Sequence, residues 1–335
     1  MASSFESRHS LSKVIQYIVD GELMPDRESP RVPLVARAGL AIVLIVCLIV
    51  LVISSSDADG GQTEQGELAF ESMDTIEQQA WQLANEAVGA GSDVQQQFVV
   101  ELLDFYHRVE DSDLVIFCSS GGWGGEPLAT NPEGQSWLVG IGSRLTQLGY
   151  EYCTVDYVRT GSGFREGLFE FKELVAHYPS KAKKLAAQLD FLTRHVDNLK
   201  IIITGQSNGA AFANEVVRSL GDNPDVYSIQ IGCPFWYQAP RAGQSLVVYH
   251  NGLMVDALVN RDIMTLLEAN HTKLFIIHHV PFFTPVSWLV TRAVLVFGLH
   301  DVNLGLEAPG HKYMWEYPGV GPSIEAFIIG NFRAR

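Results

Sequence analysis

Beyond residue 112, short apolar runs of strand-forming residues alternate with longer stretches of helical periodicity. Runs rich in β-branched and aromatic residues favour strands. The predicted strands are DLVIFCS (113–119), EYCTVDY (151–157), IIITG (201–205), VYSIQIG (226–232), SLVVYHNG (245–252) and KLFIIHH (273–279). Helices are predicted at about 180–198, 208–220 and 256–270, and in the final segment PSIEAFIIGNF. This alternation predicts an α/β fold with a mainly parallel sheet that is covered by helices on both faces.

One serine lies where a predicted strand meets a predicted helix. Residues 205–209 read GQSNG, which fits the pattern G-x-S-x-G. The pattern matters in this context because a nucleophilic serine needs a strained turn, whose glycines let the strand and the helix approach each other. Sites in parallel sheets also form at the carboxyl ends of strands. We therefore predict that Ser207 is a nucleophile; the alternative is an ordinary turn in which Ser207 caps the helix.

A serine hydroxyl needs a base to activate it, and the base needs an acid to orient it. The expected order along the chain is serine, acid, histidine. Asp256 follows the predicted strand 245–252 and is the leading candidate for the acid, although it is also placed to cap the next helix. Asp262 is a second candidate for the acid.

The base has to be selected from ten histidines. His311 lies in a loop just before the last predicted helix and is the leading candidate. His278 and His279 end a predicted strand and compete with it. His300, beside Asp301, has no comparable context.

Residues 112–335 resemble the α/β-hydrolase superfamily. The resemblance rests on the turn around Ser207, on the loop of Asp256, and on Gly310-His311 followed by Glu316, Pro318, Val320, Ile324 and Phe327. It implies a serine hydrolase whose catalytic triad is Ser207, His311 and Asp256.

The resemblance also implies an oxyanion hole. Its donors should be the backbone N–H of Asn208 and an amide from the loop after the first predicted strand. That loop reads SSGGWGG (119–125), and Gly122 and Trp123 are its candidate donors. Ser120 stands where the family usually has a histidine, so the choice between these two amides stays open.

Residues 34–53 are predicted to form a transmembrane signal anchor. Residues 38–53 contain no polar side chain, and such a segment comes close to spanning the roughly 30 Å hydrocarbon core. Five Lys or Arg residues precede residue 38, whereas residues 54–107 contain none and have eleven acids. The positive-inside rule therefore predicts a cytoplasmic N-terminal segment, 1–33, and an extracytoplasmic catalytic domain. The long basic segment argues against a cleaved signal peptide.

The remaining segments complete the predicted organisation. Residues 54–66 form a polar linker, residues 67–111 a helical lead-in, and residues 112–335 the catalytic domain. Within that domain, residues 281–309 are an apolar insertion in which Arg292 argues against a second membrane span. The insertion is predicted to be either a core helix or an apolar lid.

Charge and motif content narrow the function further. A net charge of −15 and a pI near 5.0 argue against a nucleic-acid partner. No HxxxH, CxxC or carboxylate cluster is present, so neither a metal nor another cofactor is expected. An ester or lipid-like acyl substrate follows from the resemblance and the membrane location. The sequence thus predicts a membrane-anchored, carboxylesterase- or lipase-like serine hydrolase; the alternatives are an acyltransferase with the same triad and a non-catalytic interaction protein.

Overall fold

The centre of the fold is a sheet of parallel strands. The computed structural model describes residues 75–334, apart from 90, 162–163, 242, 267 and 271–306. In that part of the chain the strands are β1 (Leu114–Ser119), β2 (Tyr152–Asp156), β3 (Lys200–Gln206), β4 (Val226–Ile231) and β5 (Ser245–Val248). They lie in the order β2-β1-β3-β4-β5, and each neighbouring pair is parallel. The predicted parallel sheet is confirmed.

Helices connect the strands and flank the sheet. They are α1 (Thr75–Val88), α2 (Ser92–Val109), α3 (Pro132–Gln147), α4 (Phe164–Val175), α5 (Lys181–His195), α6 (Asn208–Leu220) and α7 (Gly321–Asn331), with a short 3-10 helix at Leu128–Thr130. Because parallel neighbours need long crossover connections, α3 joins β1 to β2, α4 and α5 join β2 to β3, and α6 joins β3 to β4.

Alternate residues of the strands enter two different cores. Val115 and Phe117 of β1 pack in the core that is built with α1, α2, α5 and α6. Leu114 and Ile116 of the same strand pack in the core that is built with α3 and α7. Successive side chains of a strand point to opposite faces, so a strand covered on both sides reads as a continuous apolar run. The predicted helices on both faces are confirmed.

The path of the chain through the sheet changes direction next to β1. β2 lies on one side of β1 and β3 on the other, while α3 and α5, which precede these strands, cover opposite faces. In α/β sheets a crevice opens at the carboxyl ends of the strands at such a switch point. Here the glycine-rich loop after β1 and the turn of Ser207 after β3 lie side by side at this switch point.

The prediction of a helix over about 256–270 is wrong for its first turns. Residues 257–261 form turns, and helical structure begins only at residue 263. The Asp256 carboxylate accepts hydrogen bonds from the backbone amides two and three residues later, at 2.8 and 3.0 Å. Such local side-chain bonds compete with a helix. Arg261 then adopts a φ of 58°, which an α-helix does not allow.

Several predicted segments lie outside the described residues. They are the anchor at 34–53, the strand at 273–279 and most of the insertion at 281–309. Within the part of the chain that the structure describes, no helix is both long and apolar enough to cross a membrane. α1 and α2 lie in the segment that was predicted as a helical lead-in.

Candidate active site

The turn after β3 holds Ser207 in a backbone conformation that few residues other than glycine adopt. Its φ is 54° and its ψ is −121°, which costs a non-glycine residue about 1–3 kcal/mol. The flanking glycines make the turn possible. A Cβ at Gly205 would overlap the Gly209 carbonyl, and a Cβ at Gly209 would overlap the carbonyl oxygen of Ser119 at the end of β1. Glycine at both positions therefore lets α6 begin directly against β3 and β1.

The Ser207 hydroxyl does not cap the helix that follows it. α6 begins at Asn208, and no side-chain hydrogen bond caps its first turn. The backbone N–H of Ser207 instead donates to the Ile231 carbonyl of β4 at 2.9 Å, which ties the turn to the sheet. The interpretation of Ser207 as a helix-capping serine is therefore wrong, and its half-buried side chain lies at the carboxyl end of the sheet.

Asp256 and His311 form a hydrogen-bonded pair on two loops at the same end of the sheet. His311 Nδ1 lies 2.7 Å from Asp256 Oδ2, a distance typical of a charge-assisted hydrogen bond. The Asp256 side chain is fully buried, and that of His311 is nearly so. The other carboxylate oxygen, Oδ1, accepts the two backbone amides of its own turn. Asp256 therefore both caps a turn and receives His311.

Tyr313 donates a second side-chain hydrogen bond to the same carboxylate oxygen. Its hydroxyl lies 2.5 Å from Asp256 Oδ2, and its ring is fully buried. Burial, and then the adjacent carboxylate, raises the pKa of Tyr313 far above its ordinary value, so the phenol keeps its proton. Burial alone would raise the pKa of Asp256, but the hydrogen bond and charge of His311, followed by the bond from Tyr313, lower it. The carboxylate is thus ionised at neutral pH and accepts the Nδ1 proton of His311.

His311 lies next to the turn of Ser207. A Cβ at Gly232 would lie 2.9 Å from His311 Cε1, and Gly232 directly follows Ile231, whose carbonyl accepts the Ser207 N–H. His311 Nε2 is buried and has no hydrogen-bond partner among the described residues. No hydrogen bond joins the imidazole to the Ser207 hydroxyl among the described residues. Such bonds are often long without substrate and tighten when it binds.

Glu133, in the first turn of α3, joins the serine turn to the histidine loop. Its Oε2 accepts a hydrogen bond from Gln206 Nε2 at 2.9 Å and another from the Tyr313 backbone N–H at 2.9 Å. Gln206 directly precedes Ser207, and Tyr313 follows His311 by two residues. A single carboxylate therefore links the segments that carry the candidate nucleophile and the candidate base.

Asn251 joins the acid loop to the histidine loop. It is buried, and its Nδ2 donates to the carbonyl oxygens on either side of His311 at 3.0 and 2.9 Å. Its Oδ1 accepts backbone amides two and three residues later, at 2.8 and 3.1 Å. Since these amides belong to the loop that leads to Asp256, Asn251 fixes the two members of the pair relative to each other.

The glycine-rich loop after β1 lies against the serine turn. A Cβ at Gly121 would lie 3.4 Å from the Ser207 Cβ. Gly122 has a φ of 54°, and its carbonyl accepts the Asn208 side chain at 3.1 Å. Gly122, one of the two predicted oxyanion donors of this loop, is therefore held close to the turn of Ser207, and Trp123 follows it directly.

Three side chains that shape the site were not predicted. They are Glu133, Tyr313 and Asn251. A local signal existed for Glu133, because an asparagine followed by proline is typical of a helix start, and Asn131 accepts the Glu133 backbone N–H at 2.9 Å. Tyr313 and Asn251 carry no such signal, since their contacts arise only when distant loops meet.

Of the other candidates, Asp262 does not join this pair. Asp262, the second candidate for the acid, is exposed. Its carboxylate accepts the Thr265 backbone N–H and hydroxyl at 3.1 and 2.7 Å, which caps a local helical turn. His278, His279 and His300 lie outside the described residues.

The comparisons with known proteins do not identify a family for this chain. No protein-family model matches the chain, and no curated protein matches it. Among solved structures, Trichoderma reesei cutinase in complex with a C11Y4 phosphonate inhibitor is similar over 53% of this chain and 76% of that chain, at 13% identity and a TM-score of 0.31. The described residues themselves define an α/β protein whose parallel sheet carries a strained serine turn beside an aspartate–histidine pair. The function of the site is inferred from its own contacts.

Proposed function

We propose that this chain is a serine hydrolase that cleaves an ester or lipid-like acyl substrate. In this proposal Ser207 is the nucleophile, His311 the general base and Asp256 the acid that orients it. The main support is the 2.7 Å contact between His311 Nδ1 and Asp256 Oδ2 next to the strained turn of Ser207. A buried, ionised carboxylate on Nδ1 leaves Nε2 as the nitrogen that accepts a proton.

The reaction proceeds in two half-reactions. Ser207 Oγ attacks the carbonyl carbon of the acyl group while His311 Nε2 takes the hydroxyl proton. The imidazolium then gives that proton to the leaving alcohol, and the acyl group remains on Ser207. A water molecule attacks the acyl carbon with His311 again as base, which releases the carboxylic acid and restores the serine. The Asp256 carboxylate stabilises the imidazolium in both halves.

Backbone amides at the start of α6 and in the glycine-rich loop stabilise the oxyanion. The Asn208 amide belongs to the first turn of α6, where backbone N–H groups have no acceptor within the helix and the helix dipole favours negative charge. The second donor is the Gly122 or the Trp123 amide. Each such donor contributes about 10²- to 10³-fold in kcat in enzymes of this kind.

Apolar side chains beside the acid loop support an apolar acyl group as substrate. Leu253, Met254 and Val255 directly precede Asp256, and each is more than half exposed. A Cβ at Gly310, the neighbour of His311, would overlap the Val255 carbonyl, so this surface borders the histidine. Exposed apolar area of this kind favours hydrocarbon by about 25 cal/mol per Å² buried.

The first test is labelling of the full-length chain, purified in detergent, with a fluorophosphonate probe. The wild type should be labelled, and Ser207→Ala should not be labelled because the acceptor oxygen is gone. His311→Ala should be labelled at least about 10³-fold more slowly, since the base is missing. His107→Ala is the matched control, because that side chain is 68% exposed on α2, and it should be labelled like the wild type.

Each other outcome of the labelling would overturn part of the proposal. Labelling that survives Ser207→Ala excludes this serine, and an unchanged rate in His311→Ala excludes this histidine. A folded wild type that is not labelled supports the interaction protein. Product analysis with an added alcohol then separates hydrolysis from acyl transfer, because an acyltransferase forms a new ester.

We also propose that residues 34–53 anchor the enzyme in a membrane, with its catalytic domain outside the cytoplasm. The support is the uninterrupted apolar run at 38–53, which five Lys or Arg residues precede and which no Lys or Arg follows before residue 108. The full-length chain should stay in the membrane fraction after an alkaline wash, and a variant that lacks residues 34–53 should be released. A C-terminal tag should be digested by protease added from the extracytoplasmic side. Equal release of both chains, or a tag digested only from the cytoplasmic side, would contradict the proposal.

A further inference from the structure

A buried arginine that is not part of the aspartate–histidine pair donates hydrogen bonds to the glycine-rich loop. Arg159 follows β2, and its side chain is fully buried. Its Nη1 donates to the Ser119 hydroxyl at 2.6 Å and to the Ser120 carbonyl at 2.7 Å, and its Nη2 donates to the Gly122 carbonyl at 3.3 Å. A Cβ at Gly124 would lie 2.6 Å from the guanidinium carbon. The loop is therefore wrapped directly around the guanidinium group.

The guanidinium is itself held by a buried carboxylate. Arg159 Nε donates to Glu170 Oε1 at 2.9 Å, and Lys181 Nζ donates to the other oxygen of Glu170 at 2.6 Å. Lys181 Nζ also donates to the Arg159 carbonyl. Burying charges in this way is costly, and apolar side chains of similar volume are often at least as stabilising. Stability alone therefore does not explain why these three residues are charged.

The contacts of Arg159 set the direction of amides in the loop. In a planar trans peptide the carbonyl and the following N–H point in opposite directions. Because the Ser120 and Gly122 carbonyls point at the guanidinium, the Gly121 and Trp123 amides point away from it. The carbonyl of Trp123 is fixed as well, since it accepts the Thr160 hydroxyl at 2.5 Å.

The loop depends on such external contacts because of its composition. Four of the residues between 121 and 125 are glycines, which leave the backbone free to adopt many conformations. Gly122 and Gly124 have φ values of 54° and 70°. The same loop touches Ser207 through Gly121. A rotation of one peptide plane would therefore change the direction of an amide in the loop that lies against the nucleophile.

We propose that Arg159, held by Glu170 and Lys181, is a positioning residue that aims the Trp123 amide of the glycine-rich loop at the oxyanion. This inference rests on the proposed function and adds to it the device that orients one side of the oxyanion hole. Arg159 thereby stabilises the transition state, since an oriented amide binds the developing negative charge more strongly than it binds the ground-state carbonyl.

Arg159→Lys in the full-length enzyme tests the inference. Lysine keeps the charge that Glu170 needs, but it lacks the planar fork that reaches the hydroxyl and both carbonyls. With a short-chain nitrophenyl ester, we expect kcat to fall about 10²-fold with little change in KM. The thionoester counterpart, in which sulfur replaces the carbonyl oxygen, fits an oxyanion hole poorly and should lose much less. Arg194→Lys, at a side chain that is 71% exposed, is the matched control and should change neither rate.

The possible outcomes separate this inference from the proposed function. A wild type that neither hydrolyses esters nor reacts with the fluorophosphonate overturns both. An active wild type combined with an unchanged kcat in folded Arg159→Lys overturns only the role of Arg159. Equal losses on ester and thionoester with a raised KM would show a merely structural role. If Arg159→Lys does not fold, Glu170→Gln replaces it, because glutamine keeps the side-chain shape and weakens the hydrogen bond to Arg159. Glu170→Gln should lose ester hydrolysis much more than thionoester hydrolysis. A Glu170→Gln enzyme without this selective loss would overturn the inference.

Discussion

Replacing Asp256 with asparagine is expected to lower kcat for ester hydrolysis by about 10⁴-fold while the protein keeps its fold. The reason lies in the two oxygens of the carboxylate. Oδ1 accepts two backbone amides, so the amide oxygen of an asparagine stays there. Its NH₂ group then takes the place of Oδ2 and faces His311 Nδ1.

An NH₂ group at that position reverses the hydrogen bond to the imidazole. It donates to His311 Nδ1, so the ring proton moves to Nε2, and Nε2 can no longer accept the proton of Ser207. The loss should therefore appear in kcat, because the substitution changes the proton acceptor of the reaction. Steady-state kinetics with a short-chain nitrophenyl ester measure it, and circular dichroism verifies the fold.

Asp262→Asn is the matched control for this substitution. Asp262 lies six residues further along the chain, and its exposed carboxylate accepts hydrogen bonds from its own helical turn. The kcat of Asp262→Asn should remain within about twofold of the wild-type value, as is usual for substitutions at exposed positions. A kcat of Asp256→Asn within tenfold of the wild type would contradict the triad, because the orienting acid would then lie elsewhere.

The sequence could predict the parts of the site that depend on local pattern. Ser207 is identified by a run of β-branched residues, two glycines and a helical stretch, all within about twenty positions. The structure shows the physical basis of that pattern, since each glycine lies where a Cβ would overlap backbone atoms. The order of strands and helices follows in the same way, from the apolar runs of a sheet that is buried on both faces.

Helix α3 shows where local reasoning fails. It contains Gly134, Gly140 and Gly142, and glycine disfavours a helix interior by about 1 kcal/mol relative to alanine. The structure gives each of them a role: a Cβ at Gly134 would overlap the Leu128 carbonyl, one at Gly140 the Trp315 ring, and one at Gly142 the Tyr152 hydroxyl. The interior of the helix thus depends on packing partners that are mostly remote in sequence, whereas only its start, at Asn131 and Pro132, has a local signal.

The supporting contacts of the site could not be predicted for the same reason. Glu133 and Tyr313 are separated by 180 residues along the chain, and Asp256 and Tyr313 by 57. Each contact follows from the strand order, which brings the loops after β1, β3 and β5 to one end of the sheet. A sequence pattern can identify the reacting side chains, whereas the residues that hold them are defined only by the fold.

Gly209→Ala is expected to destabilise the protein by about 3 kcal/mol and to lower kcat/KM about 10²-fold. Alanine is otherwise the better residue at a helical position, so intrinsic propensity predicts the opposite sign. The new Cβ overlaps the carbonyl oxygens of Ser119 and Ser120, which are backbone atoms that no rotamer change can move. The serine turn must then separate from the glycine-rich loop, and the oxyanion donors on the two sides lose their spacing. Urea unfolding measures the first effect, and steady-state kinetics measure the second.

Gly330→Ala in α7 is the matched control. Nothing lies within 4 Å of a Cβ at that position, so this substitution should leave activity unchanged and leave stability equal or slightly higher. The comparison distinguishes close backbone packing at the turn from a general effect of adding a methyl group to a helix. If Gly209→Ala were as stable and active as Gly330→Ala, the turn and the glycine-rich loop would not be in close contact. The two sides of the proposed oxyanion hole would then have to be assigned to other residues.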